Sequence, residues 1–412
     1  MSNINITLEV LGITDTHVHI NGYRHENHGK GTGRKKFLVI QAVLTYQLAR
    51  CPECGFEALY PNGHIKTRIH INSANDRPVV LELKKQRWRC HNCGHTCTAT
   101  TPVVKPHHTI SCMTAQYALK LAKKSLSLTT IAAITGISPK SVQRIINTNI
   151  KPHPATHLPE NLCFDEFRST HDMMSFICID ADKHGLVTVL GGRLNKEIKQ
   201  FFSSQYSEQE RAAVKHISMD MNASYQNFVH ELFPNAEIVI DRFHIVQLLG
   251  RAMDQLRVQC LKQLDPHSRE HKVMKTDWRL FHKAHPNASK MRYLRGLNEY
   301  STEQNAIDLG TDKFPAFKAA YEAYIDVHEA LMNHQVSRLK ALITNYQRAE
   351  STMDTAMTTL RKNLTGVLNA ARSSYSNGPI EGKNRKIKQL KRNCYGFANQ
   401  ENMFIRIFQI AA

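Results

Sequence analysis

The sequence contains no apolar run approaching the eighteen or so residues that a membrane-spanning helix requires. Its ten cysteines in 412 residues are too few for a disulfide scaffold, and its opening, MSNINITLEV, has neither a basic start nor an apolar block. A membrane protein and a secreted disulfide-rich domain are therefore not expected. The cysteines read instead as thiols or metal ligands. Hydrophobic residues make up 42% and charged residues 22%, a balance that excludes a disordered tail and, at this length, allows two to four domains.

Acidic residues are also scarce. There are 35 Asp and Glu against 54 Lys and Arg, a net charge of +19, which suits a polyanionic partner, above all nucleic acid. Residues 113–157 hold six basic side chains and no acidic one. Residues 158–250 run the other way, with 13 acidic and 8 basic side chains. Carboxylates gathered inside a binder of polyanions call for an explanation, and metal binding supplies one.

Two knuckles, CPECG at 51–55 and CHNCG at 90–94, bracket a stretch that reads partly as strand, VVLELKKQRWRC. Cys51, Cys54, Cys90 and Cys93 have the spacing of a tetrahedral Zn²⁺ site, with a glycine after each knuckle to relieve the turn, so a zinc ribbon is expected over 51–97. Cys97 is a conceivable substitute ligand. Upstream, Asp15, His17 and His19 form a DxHxH sequence like that opening metal-dependent amidohydrolases. The next segment is a Gly/Lys/Arg-rich loop, HENHGKGTGRKK, and not a run of βα units, so exposed histidines on an N-terminal strand are the preferred reading.

In SLTTIAAITGISPKSVQRIIN, a short helix ends at Gly136, and Ser138 and Pro139 open a second one. Val142, Ile145 and Ile146 would face the core, while Lys140, Ser141, Gln143, Arg144 and Asn147 would face outward. This is the layout of a helix-turn-helix whose second helix enters a major groove. The proline-containing KPHPATHLPE then reads as a linker.

From residue 161 the pattern is strand, strand, strand, helix, strand, helix, strand. Asp165 lies in the first strand, Asp180 and Asp182 at a hairpin turn, and Asp220 and Asp241 at the ends of the fourth and fifth. That order is the order of the RNase H-like α/β fold, in which the first strand lies beside the fourth, bringing Asp165 and Asp220 to one site. A third carboxylate is available in SNGPIEGKNRKIKQLKR. There Asn377 can cap a helix, Pro379 can open it, Glu381 falls in its first turn and Asn384 one turn further on. Lys383, Arg385, Lys386, Lys388, Lys391 and Arg392 make the rest of this helix suited to phosphate. Three carboxylates can hold two Mg²⁺ (or Mn²⁺) ions about 3.5–4 Å apart, a site that cleaves or transfers phosphodiesters without a nucleophilic side chain.

Taken together, these features resemble a bacterial insertion-sequence transposase of the DDE type, most closely the ISL-three family, over about residues 40–412. The most specific parts are the Glu381 motif and the sequence from Asp241 to His244. The resemblance implies binding of terminal inverted repeats, Mg²⁺-dependent strand cleavage and strand transfer. It makes Asp165 the first catalytic Asp and Glu381 the acidic third. Asp220 is the expected second, because Asp241 would lie two strand spacings from Asp165, about 9–10 Å. Asp241 and His244 match the DxxH motif of related transposases and are read as supporting residues, as is Asn384. A homodimer or larger on double-stranded DNA and a cytoplasmic, nucleoid-associated location are further implications.

The expected organisation is an N-terminal region with the ribbon (1–112), the all-α helix-turn-helix with its linker (113–157), the first part of the core (158–250), a mostly helical insertion (251–372) and the C-terminal part of the core (373–412). Trp278 in the insertion is either a packed residue or a platform for an extruded base. Two other functions compete: a DNA-binding regulator with a decayed core, and a nuclease that cuts without joining.

Overall fold

The computed structural model describes residues 8–28, 35–221 and 223–411; part of the loop read in HENHGKGTGRKK lies outside them. The chain forms two compact units, residues 1–152 with 385–412, and residues 153–384.

The first unit is built on a sheet of β1 (Val18–His28), β2 (Lys35–Leu44), β3 (Leu59–Ala74), β4 (Arg77–Cys90) and β5 (Thr96–Thr98). Its order is β1-β2-β4-β3, with β5 on β4. The β3–β4 hairpin turns at Asn75 and Asp76, both at positive φ (49° and 57°), the backbone of a two-residue hairpin turn, which Asn and Asp adopt more readily than most residues. One sheet face buries Ile69, Ile71, Leu81, Leu83 and Leu44 against Leu8, Ile13 and Val104.

Three helices follow: α1 (Cys112–Lys123), α2 (Leu128–Thr135) and α3 (Pro139–Asn149). Each is opened by a serine, Ser111, Ser127 or Ser138, whose hydroxyl accepts a hydrogen bond from a main-chain N–H of the first turn. Gly136 ends α2 at φ 72°, and a Cβ there would stand 2.6 Å from the Ser73 hydroxyl and 3.1 Å from Pro78 Cα. Its lack of a side chain both sets the turn and lets the helices approach the sheet.

The second unit holds a sheet of β6 (Asn161–Arg168), β7 (Met174–Asp180), β8 (Leu186–Leu190), β9 (His216–Met219) and β10 (Glu237–Ile240), in the order β10-β9-β6-β7-β8. β6, β7 and β8 form an antiparallel meander, while β9 runs parallel to β6 and β10 parallel to β9. The first strand of the unit thus lies beside the fourth, as the sequence pattern predicts. Between these strands run α4 (Asn195–Gln205), α5 (Glu208–Ala212) and α6 (Ala223–Leu232). The single helix expected between the third and fourth strands is broken because Ser207 and Glu210 form a capping box that starts a new helix. Leu162 and Phe164 project from β6 into a cluster of Phe176, Phe202, Phe228 and Phe233. Cys163 and Asp165, alternating with them, take the opposite face.

The remainder of this unit is helical. α7 (Arg242–Leu261) crosses the expected boundary at 250 and leads into α8 (Arg269–Thr276), the small β11–β12 ribbon (Arg292–Leu294, Glu299–Ser301), α9 (Glu303–Thr311), α10 (Pro315–Met332), α11 (Val336–Thr344), α12 (Thr352–Lys362) and α13 (Leu364–Arg372). α14 (Gly378–Asn393) begins in this unit and ends in the first, and α15 (Gln400–Ala411) packs on α1 and α3. Residues 373–412 therefore do not all stay with the core, which was the expected division. Buried Arg406 of α15 donates to the carbonyls of Ala122 and Leu126, which ties that end of the chain to the helix-turn-helix.

Candidate functional sites

The two knuckles bring four sulfurs together. Cys51 and Cys93 Sγ lie 3.7 Å apart and Cys54 and Cys90 Sγ 3.6 Å apart. A tetrahedron with Zn–S bonds of about 2.3 Å has S···S edges of about 3.8 Å, so the set fits Zn²⁺. Gly55 and Gly94 take positive φ (73° and 69°), and their N–H groups return to the Cys51 and Cys90 carbonyls. A hydrogen bond from the Phe56 main chain holds the Cys54 thiol below the ordinary thiol range. Cys97 stands outside the set, with its Sγ on the Trp88 carbonyl. Asp15 accepts from the His17 main chain and ring, His19 is exposed on β1, and the three gather no metal-binding group among the described residues.

On α3, Val142 and Ile146 are buried, and Lys140 and Arg144 are exposed. Ser141 donates its main-chain N–H to the cap Ser138. Gln143 and Asn147 were expected to face outward with them. Both instead turn toward α15, where Asn147 Nδ2 donates to Asn402 Oδ1 at 2.9 Å and Gln143 Nε2 to the same oxygen at 3.4 Å.

In the second unit, strand register arranges the acids. Asn161, Leu162 and Cys163 pair with His216, Ile217 and Ser218, and continuing that register sets Asp165 opposite Asp220. Glu237 to Ile240 pair with His216 to Met219, which sets Asp241 opposite Asp220 from the other side. Asp220 and Asp241 directly follow β9 and β10, and with Asp165 inside β6 the three fall in one row. Burial pushes the Asp165 carboxyl up to about 6, and the charge of Asp220 adds to the rise; the Glu166 main-chain N–H, His244 and Asn384 oppose it.

Asp241 is 3% exposed. Its Oδ1 accepts from the Asn377 main-chain N–H at 3.4 Å, and its Oδ2 lies 4.0 Å from His244 Nε2. Its charge is felt by Cys163, which burial, first of all, and that charge push up to about 12. Asp180 accepts from the main-chain N–H groups of Asp182 and Lys183, a turn role.

Glu381 lies in the first turn of α14, its N–H on the Asn377 carbonyl. Asn384, 7% exposed, donates from Nδ2 to Asp165 Oδ2 at 2.7 Å. Contrary to expectation, the side chain of Asn377 does not cap the helix. Its Nδ2 donates to the Phe164 carbonyl at 3.1 Å and its Oδ1 has no hydrogen-bond partner. Pro379 takes the second helical position, not the first. Among the described residues, Asp165, Asp220 and Glu381 do not close to within 4.8 Å of one another, unlike the four cysteines. A cleft of about 320 Å³ is lined by Asp220, His244, Gln247 and Arg251, without Asp165 or Glu381.

Sequence reasoning missed Glu166. Its Oε1 accepts from the Tyr225 hydroxyl and its Oε2 from Arg193, each at 2.7 Å, so the residue after Asp165 is pinned from two sides. These partners lie 27 and 59 positions away, and no local pattern announces them. Trp278 is half-buried, with the guanidinium groups of Arg279 and Arg257 at 5.1 and 5.8 Å from its ring.

A transposase family model matches residues 162–407, a zinc-finger model of transposases IS204/IS1001/IS1096/IS1165 matches 47–93, and a helix-turn-helix model of transposase family ISL3 matches 99–148. These matches define a DNA-binding transposase, an enzyme class that cleaves and transfers nucleic acid. The chain belongs to the ISL3 family. It is 24% identical over 383 residues to a transposase for insertion sequence element IS1001 from Bordetella parapertussis, covering 90% of each chain. It is also 29% identical over 187 residues to a Lactococcus lactis protein named an ATP-dependent protease, covering 44% of this chain and 57% of that one. The present sequence contains no GxxxxGK[ST] phosphate loop. No described helix is long and apolar enough to cross a membrane.

Proposed function

We propose that the second unit is an RNase H-like DDE core that cuts and joins the ends of an insertion sequence, with Asp165, Asp220 and Glu381 as its acidic triad. The observation that carries this reading is the register placing Asp165 opposite Asp220, together with the charge coupling between them. Asp241 is the weaker candidate for the triad, because it is buried and acts on Cys163. With His244 it supports the site by anchoring Asn377, four residues before Glu381. Asn384 positions Asp165.

The donors suit Mg²⁺ or Mn²⁺: they are carboxylate oxygens, and the charge of Asp220 adds to the rise that burial gives the Asp165 carboxyl. When bound, such ions supply an activated oxygen nucleophile and stabilise the leaving oxygen. The chain's own part is to hold the acids in one row, orient Asp165 through Asn384 and the Glu166 N–H, and fix Glu381 at a helix start.

Duplex DNA would be engaged by α3 through Lys140, Ser141 and Arg144, with Gln143 and Asn147 available once Asn402 releases them. Lys383, Arg385, Lys386, Lys388, Lys391 and Arg392 supply phosphate contacts along α14. Two ends must be brought together, so a homodimer or larger assembles on DNA, at the nucleoid in the bacterial cytoplasm.

The test is Mg²⁺-dependent cleavage of a labelled duplex carrying the flanking inverted repeat, by wild type, Asp220→Ala and Asp241→Ala. Cleavage lost in Asp220→Ala and only reduced in Asp241→Ala is the expected result. Loss in Asp241→Ala alone would reverse the assignment. Binding without cleavage by wild type would make the chain a decayed regulator, and cleavage without joining would make it a nuclease.

A further inference from the structure

The β3–β4 pairing sets Lys66 directly opposite Lys84. Both are exposed, on the sheet face that also carries Arg68 and Glu82. Like charges directly opposite one another destabilise an antiparallel pair. The nearby carboxylates are engaged by other cations. Glu82 is held by Arg24 at 2.9 Å, and Glu26 by Arg24 and Arg68 at 2.6 Å each. Among the described residues, neither lysine stands within ion-pair distance of a carboxylate; Glu82, held low first by Arg24, also feels the charge of Lys66.

The same face leads to the helix-turn-helix within this unit. Four residues along β3 from Lys66 stands His70, whose N–H donates to the Thr109 carbonyl at 2.7 Å and whose carbonyl accepts from Ser111 at 2.9 Å. Thr109 and Ile110 then border α3 along its length. They line one cavity of about 490 Å³ with Ser138, Pro139 and Ser141, and another with Lys105 and Arg144. Four strand residues set Lys66 about 13 Å along β3 from His70.

We propose that Lys66 and Lys84 form a second contact with duplex DNA, a phosphate-binding patch on the N-terminal sheet that grips the backbone beside the groove taken by α3. The proposal rests on reading α3 as the groove-binding helix. Both lysines lie between the two knuckles, within the zinc-finger match 47–93, on a sheet that β1 and β2, outside all three matches, complete. The chemistry favours phosphate over a protein partner: lysine is depleted in protein interfaces, while two hydrated ammonium groups neutralise neighbouring phosphates without reading bases.

The experiment is fluorescence anisotropy of a labelled duplex of arbitrary sequence with the full-length protein over a salt series. Wild type is compared with Lys66→Gln/Lys84→Gln and with Lys66→Arg/Lys84→Arg. The Gln pair should lower the slope of log K against log salt by about 1.8, two phosphate contacts at about 0.9 each, while the Arg pair keeps it. The Gln pair should also melt no lower than wild type, because it removes a repulsion. An unchanged slope overturns the proposal, and so does a lower melting temperature, which would make the lysines structural. Wild type that fails to bind the duplex overturns the groove reading as well, a different result from an unchanged slope.

Discussion

The molecule has two candidate metal sites, made in opposite ways. The four thiols of the ribbon sit at zinc-ready distances within two five-residue knuckles, each closed by its own glycine turn. The acids of the second unit come from strands and a helix as far apart as residues 165 and 381, and their oxygens have not closed on one another. Soft, neutral-capable thiols can be gathered by the chain alone. Carboxylates repel, and the fold can only aim them. A structural site is thus complete in its protein ligands, whereas a catalytic one leaves room for ion and phosphate.

The sharpest way to break this comparison is to remove an aimed acid. Asp165→Asn or Asp220→Asn should lower Mg²⁺-dependent cleavage by at least about a thousandfold, several kcal/mol of transition-state stabilisation, with end binding retained in a gel-shift assay. Next comes the ribbon. Cys51→Ser should lose stoichiometric zinc by atomic absorption and melt the ribbon, since structural zinc contributes on the order of 10 kcal/mol to such small modules.

A smaller effect tests the cost of aiming. The folded Asp165 carboxyl titrates at about 6, above its ordinary value. The folded state therefore binds more protons than the unfolded chain between roughly pH 4 and 6, and stability falls as pH rises through that window. Without added divalent ion, Asp165→Asn should flatten this fall. It should also melt higher than wild type at neutral pH, by an amount corresponding to roughly 3 kcal/mol. An unaltered melting profile would show that Asp165 carries no such penalty. The smallest effect belongs to Asn402→Ala, which frees Gln143 and Asn147. It should cost about 1 kcal/mol of stability and strengthen binding to the inverted repeat, read by titration against a scrambled duplex.

Legibility followed the range of the interaction. The knuckles, the serine caps, Gly136 and the order of the core strands are local patterns, and the sequence displays them. The placement of Asp165 beside Asp220 was readable because strand order carries it. Asn377 was misread because capping is only the local option for an asparagine side chain, and a buried carbonyl at Phe164 claimed its Nδ2 instead. Gln143 and Asn147 were assigned outward because nothing in α3 reveals a helix 250 residues later that covers them. The Glu166 clamp is invisible for the same reason.

The point where the chain leaves the core sheet is fastened to the point where it returns. Arg242 donates to the carbonyls of Ser373, Ser374 and Tyr375, and the neighbouring Asp241 holds Asn377. The excursion between is closed at its base, and its last helix, α13, packs back on β10, where Asn369 Nδ2 donates to the Ile238 carbonyl at 3.0 Å. Its length can change at little entropic cost, and Glu381 keeps its address whatever the excursion contains. Such a chassis invites exchange. The outer part of the helical cassette could be trimmed, enlarged or replaced over evolutionary time, or by an engineer, as long as the staple of Asp241, Arg242 and Asn377 and the packing of α13 on β10 survive.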